Sequence, residues 1–168
     1  MLGKEYTTIQ RFAPARGPFA SLCTNDGSTS CGLRPDGTIT CWGMLHAGGL
    51  TVRSHPPKGN FSEISCGHRH ICALKPNGEV SCWGRTIEGE LNVPNGQRFK
   101  KVRAGRDLTC GINQLDEILC WGRNPGFQLD GSFVDLILES DLCGISADCA
   151  LRKAKRFVGE ENLTKGRK

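Results

Sequence analysis

The chain has no apolar run approaching 18 residues, so no segment has the length of a membrane-spanning helix. Its start, Met1-Leu2-Gly3-Lys4-Glu5-Tyr6, has no apolar stretch of signal-peptide length. Aromatic residues are scarce, at 7% with one tyrosine, which leaves a core lean in large side chains. There is no serine-nucleophile motif, no Gly-x-x-x-x-Gly-Lys phosphate loop and no acid–base pair on a common loop. An enzyme is therefore not expected, and no cofactor is implied. The body also lacks net charge. Of the 22 Lys and Arg residues, seven lie in residues 152–168 against Glu160 and Glu161, so the formal +5 belongs to a C-terminal tail. Residues 1–151 balance 15 basic against 15 acidic side chains, which gives no electrostatic footprint for nucleic acid.

Glycine and cysteine are abundant. The 22 glycines and 8 prolines favour many turns and short strands over long helices. The 10 cysteines are ordered. Cys31 and Cys41, Cys72 and Cys82, and Cys110 and Cys120 are each ten apart, and each second cysteine opens a Cys-Trp-Gly tripeptide at 41–43, 82–84 and 120–122. Each unit starts at a phenylalanine: Phe19, Phe61 and Phe99. A fourth starts at Phe133 and reaches Cys143-Gly144-Ile145, but its second cysteine should fall at 153, which is a lysine. Periods of about 40 residues mark a repeat protein.

The centre of each unit reads as a β-hairpin. Pro35-Asp36-Gly37 and Pro76-Asn77-Gly78 sit between short apolar strands, with proline suited to a type I turn and glycine to the left-handed bulge position. Gln114-Leu115-Asp116 replaces them in the third unit. Folding about Asn77 sets Leu74 opposite Val80 and Cys72 opposite Cys82, close enough for a cross-strand disulfide. Disulfides Cys31–Cys41, Cys72–Cys82 and Cys110–Cys120 are thus expected. They imply an oxidising compartment: extracellular, cell-surface or lumenal. Cys23, Cys66, Cys143 and Cys149 have no partner given by the repeat. Asn60-Phe61-Ser62 and Asn162-Leu163-Thr164 fit the glycosylation acceptor pattern.

Such units match four-stranded blades of a β-propeller. The pattern Phe-x-x-Ile-x-x-Gly-x-x-His-x-Cys-Ala-Leu-x-x-Asn-Gly-x-Val-x-Cys-Trp-Gly resembles the regulator of chromosome condensation repeat. It is most similar to the cysteine-paired variety in bacterial propellers related to the β-lactamase inhibitor protein and in Crinkly-type receptor kinase ectodomains. The expected fold is all-β, a partial propeller of about three blades plus an incomplete fourth. An N-terminal extension, 1–16, precedes repeats at 17–58, 59–96, 97–131 and 132–145, with a basic tail at 146–168. Ala147, Ala150, Leu151 and Ala154 stand at helical spacing, which predicts a short basic helix in that tail.

Other constellations have plainer readings. Cys66, His68, His70 and Cys72 carry zinc-ligand chemistry, but Cys72 is already matched to Cys82 and no metal site is expected. The tryptophans read as core between blades. Asp107 and Asp141 recur at equivalent positions and read as scaffold. Function is then expected in the loops after each Trp-Gly, whose partner-binding candidates are Met44, His46, Arg85, Ile87, Glu88, Arg123, Asn124 and Phe127. The first expectation is a non-catalytic module binding a protein partner. The second is an ectodomain fragment of a Crinkly-type receptor-like serine/threonine kinase. Less favoured is a guanine-nucleotide exchange or chromatin role. Open blade faces also allow self-association.

Overall fold

The computed structural model describes residues 16–25, 29–43, 46–47, 50–51, 56–84, 86–123, 127–128, 131–138, 142–146, 151–153 and 155–156. These form four three-stranded antiparallel sheets, each running in chain order. The first is Ser21–Thr24, Thr29–Leu33 and Ile39–Gly43; the second is Glu63–Cys66, His70–Leu74 and Val80–Gly84. The third is Phe99–Ala104, Leu108–Asn113 and Ile118–Gly122; the fourth is Phe133–Leu138, Leu142–Ser146 and Leu151–Lys153. Each is one blade of a partial propeller. Among the described residues no helix is long and apolar enough to cross a membrane.

The hairpins take the expected form. In blade 2 the Gly78 N–H donates to the Lys75 carbonyl and the Lys75 N–H to the Glu79 carbonyl. Gly37 and Gly78 sit at φ +82° and +84°, and Asp116 takes the same place at +64°. Asn77 Oδ1 accepts from the Glu79 N–H, as Asp36 Oδ1 does from that of Thr38. Leu74 faces Val80 and Cys72 faces Cys82.

The sheets stack through a repeated interface. In each, the cystine hairpin of one blade packs against the phenylalanine, and where present the tryptophan, of the next. Cys31, Cys41 and Leu33 meet Phe61, Ile64 and Trp83. Cys72, Cys82 and Leu74 meet Phe99, Val102 and Trp121. Cys110, Cys120 and Ile112 meet Phe133 and Leu136. A backbone bond recurs beside each: the N–H groups of Phe61, Phe99 and Phe133 donate to the carbonyls of Gly37, Gly78 and Asp116. The left-handed turn residue thus aims its carbonyl at the next blade. Arg103 adds charge across three first strands, pairing with Glu63 behind it and Asp135 ahead.

Two expectations are corrected. Each blade has three strands among the described residues, not four; after the first Trp-Gly, His46–Ala47 pairs with Leu50–Thr51 in a separate two-stranded sheet. The tail is not helical where it is described. Leu151–Lys153 pairs with the second strand of blade 4, setting Lys153 opposite Cys143. Lys155–Arg156 pairs with Phe127–Gln128. A single short helix is marginal in water, whereas the open edge of Leu142–Ser146 offers a ladder of unpaired backbone groups. Residue 153 therefore occupies the position of a second staple cysteine without being one.

Candidate functional site

An antiparallel three-stranded blade has two rims. One carries the turn between its first two strands and the chain leaving Trp-Gly; the other carries the central hairpin. On the first rim, where blades 2 and 3 meet, a cleft of about 200 Å³ opens. Ile87 and Glu88 enter it from the loop after the second Trp-Gly, and Arg123 from the third. His68 and Arg69 come from the first turn of blade 2, Arg106 and Asp107 from that of blade 3.

The walls are held by backbone bonds. The His68 N–H donates to the Gly105 carbonyl, and the Arg123 N–H to the Asp107 carbonyl. The Arg123 guanidinium also reaches the Asp107 carboxylate at 3.4 Å. Arg69 and Arg106 are exposed and make no ion pair among the described residues. Ile87 is 57% exposed, an apolar side chain presented beside three guanidiniums. The cleft therefore offers both charges and one hydrophobic contact.

Beneath it lies Glu90. Its carboxylate oxygen Oε2 accepts from the Thr86 hydroxyl and from the Ile87 and Glu88 N–H groups, each at 3.0 Å. Burial pushes this carboxyl up, but the Glu90 N–H together with these donors outweighs burial and holds it below the usual carboxylate range. The Glu90 carbonyl accepts from Trp121 Nε1 at 2.9 Å and from the Thr109 hydroxyl at 3.2 Å. One residue thus shapes the Ile87–Glu88 loop and fastens it to blade 3.

His70 completes this junction. It is fully buried, with Nε2 2.8 Å from the Thr109 hydroxyl oxygen. That hydroxyl spends its proton on the Glu90 carbonyl, so Nε2 is the donor. Burial lowers the His70 pKa to about 4, although the carboxylates of Glu90 and Asp107 pull the other way.

The structure brings together Ile87, Glu88 and Arg123 of the predicted binding residues. His46 and Phe127 sit in two-residue strands elsewhere, while Met44, Arg85, Asn124 and Asn162 lie outside the described residues. Asn60 is exposed. His68, Arg69, Arg106 and Asp107 were not expected in a binding role; the signal is that the Gly67 and Gly105 turns share a rim with the post-Trp-Gly loops. The zinc-like group does not assemble. Cys72 is bonded to Cys82, Cys66 is bonded to Cys23, and His70 is engaged by Thr109.

All three predicted staples are present, with Cα–Cα separations of 4.1, 4.1 and 4.0 Å. The fourth disulfide, Cys23–Cys66, joins the first strands of blades 1 and 2. Residues 61–89 match the regulator of chromosome condensation (RCC1) repeat family. This segment is similar to an RCC1 repeat.

Around that repeat, the chain is similar to the entire ectodomain of the Physcomitrella patens receptor kinase CR4. The two are 29% identical with a TM-score of 0.69, over 81% of this chain and 38% of that one. The CRINKLY ectodomain of the Arabidopsis thaliana receptor kinase ACR4 is 24% identical with a TM-score of 0.67, over 81% of this chain and 52% of that one. Yeast RCC1 (Prp20), solved bound to Kap60, shares the fold at 12% identity and a TM-score of 0.61, over 83% and 44%. The chain thus spans from about two fifths to half the length of these proteins. No curated protein matches it. The four disulfides and the receptor ectodomain likeness fit an oxidising environment.

Proposed function

We propose that this chain is a non-catalytic module that holds a protein partner in the cleft between blades 2 and 3. The observation that carries the reading is the convergence of Ile87, Glu88 and Arg123, from two successive post-Trp-Gly loops, with the exposed Arg69 and Arg106. Arginine next to an exposed apolar side chain is the composition of a protein-binding hot spot. The presence of Glu88 and Asp107 in the same cleft suits a protein of mixed charge better than a run of phosphates. Asn60, exposed and beside the Gly37 hairpin turn on the opposite rim, is a glycan acceptor in this reading.

The setting that fits best is extracellular or cell-surface, as part of a receptor-like kinase ectodomain. The repeated cystine staples and the likeness to the Physcomitrella ectodomain favour it over a guanine-nucleotide exchange or chromatin role; to the yeast protein the likeness extends only as fold. A photo-crosslinking residue at position 87 tests the site, with position 77 on the opposite rim as control. Adducts with extracellular proteins should form at 87, be absent at 77 and vanish in Arg69→Glu/Arg106→Glu. Equal adducts at both rims would move the site elsewhere.

A further inference from the structure

Blade 1 differs from blades 2 and 3 in its sulfur. Cys23 stands opposite Cys31 and Cys31 opposite Cys41, so three cysteines share one register position across its three strands. In blades 2 and 3 the first strand sets Ser65 opposite Cys72 and Arg103 opposite Cys110, so those staples have no third sulfur in register. Directly opposed residues of antiparallel strands project to the same face with Cα atoms about 4.5–5.5 Å apart, a separation that a disulfide spans. Cys23 and Cys66, bonded to each other, pack in one cluster with Cys31 and Cys41, so the two disulfides of this junction are neighbours. Their exposure also differs. Each staple has one fully buried cysteine, at Cys31, Cys72 or Cys110, whereas Cys23 and Cys66 are both half-buried.

We propose that the Cys23–Cys66 bridge is a thiol-exchange site, opened by a low-molecular-weight thiol, and that the opening passes along the row to Cys41. The thiolate of the small molecule attacks Cys66 Sγ and forms a mixed disulfide there. The bridge breaks, and its electron pair leaves on Cys23 Sγ. The Cys23 thiolate then attacks Cys31 Sγ, the Cys31–Cys41 bond breaks, and Cys41 leaves as a thiolate that takes up a proton. The strand order sets Cys31 between the attacking and the leaving residue, as displacement at sulfur requires. One thiol is consumed and one is formed, with no net oxidation or reduction. Attack at Cys23 instead strands the thiol at Cys66, which stands opposite Ile71 and outside the row. The product carries Cys23–Cys31 within blade 1 and no bridge to blade 2, while the staples of blades 2 and 3 stay closed. A thiol in the medium thus unlocks blade 1. The site lies at the junction of blades 1 and 2 and does not rest on the partner cleft.

The test uses the full oxidised chain with millimolar reduced glutathione as probe. Timed samples are blocked with N-ethylmaleimide without denaturant, and cleavage after Asp26, Asp36 and Arg69 puts Cys23, Cys31, Cys41 and Cys66 on separate peptides. The expected products are glutathione on Cys66, a Cys23–Cys31 link and maleimide on Cys41. Label should reach Cys41 about tenfold or more faster than Cys82 or Cys120. Two variants that lose the same bridge separate exchange from mere loosening. Cys66→Ser leaves the Cys23 thiol in the row, so Cys41 should take label with no glutathione added. Cys23→Ser removes the attacking sulfur, and Cys41 should then label no faster than Cys82. Equal labelling of Cys41, Cys82 and Cys120 in the unaltered chain would overturn the proposal. So would a Cys23–Cys66 bridge that glutathione leaves intact, or a glutathione adduct formed while Cys31–Cys41 stays closed. Label confined to Cys23 in Cys66→Ser, or Cys41 labelled alike in both variants, would overturn it as well.

Discussion

Acidification from pH 7 to pH 4 should destabilise the fold through one buried side chain. His70 is enclosed between blades 2 and 3, and burial lowers its pKa from 6.5 to about 4. The unfolded chain takes up a proton near 6.5; the folded chain does not until about 4. Between these values the unfolded state holds the extra proton, so stability falls as pH falls, by about 1.4 kcal/mol per unit. Across the whole window the loss is about 3 kcal/mol, a large share of a small domain's stability. Equilibrium urea unfolding of the oxidised chain from pH 7.5 to 4, beside His70→Gln, isolates this effect. The amide can still donate to Thr109 but does not titrate. Above pH 6.5 the wild-type protein should be the more stable by a constant margin, and that margin should shrink as the pH falls toward 4. Glu90 adds a loss of its own, because a carboxyl held below 4.5 stabilises the fold above that value and ceases to as the pH falls through its folded pKa. That contribution is common to both proteins and cancels in the comparison. Parallel pH profiles would refute the reasoning and place His70 in water or on a charged partner.

Other outcomes follow from single contacts. Replacing Cys23 and Cys66 with alanine should cost up to about 4 kcal/mol, since that bridge closes the longest loop, and urea midpoints will show it. Glu90→Ala removes three hydrogen bonds to its carboxylate; urea unfolding should report a loss of about 2–3 kcal/mol, and hydrogen exchange should rise at Ile87 and Glu88. Gly78→Ala forces a Cβ into the left-handed region at φ +84° and should cost about 1–2 kcal/mol by thermal melting. Alanine at Ile87 or Arg106 should weaken partner capture by about tenfold or more with melting unchanged, while Arg98→Ala on the opposite rim should leave both as they were.

Much of the fold was legible because local chemistry and the repeat agree. Asn77-Gly78 specified a turn, the turn specified a register, and the register placed Cys72 opposite Cys82. The same logic put Trp83 and Trp121 between blades. Interactions between units were harder to see. Cys23 stands opposite Cys31 and so shares the position of Ser65, while Cys66 shares that of Ala104. Repeat alignment never pairs those positions, yet in space they touch: the Ala104 N–H donates to Ser65 Oγ where the first interface has its disulfide. The cleft was half legible. Ile87, Glu88 and Arg123 lie in the variable loops, but Arg69 and Arg106 enter from turns that only the antiparallel order brings to the same rim. The strand at Leu151–Lys153 was hidden by alanine spacing that favours a helix until an open sheet edge is near.

The central claim is an arc of cystine-stapled blades, with one further bridge locking blade 1 to blade 2. Peptide mapping of the chain from an oxidising host, without reduction, tests it most directly. The account predicts disulfide-linked fragments for Cys31–Cys41, Cys72–Cys82, Cys110–Cys120 and Cys23–Cys66. Free thiols at these eight positions, or a different pairing among them, would contradict it.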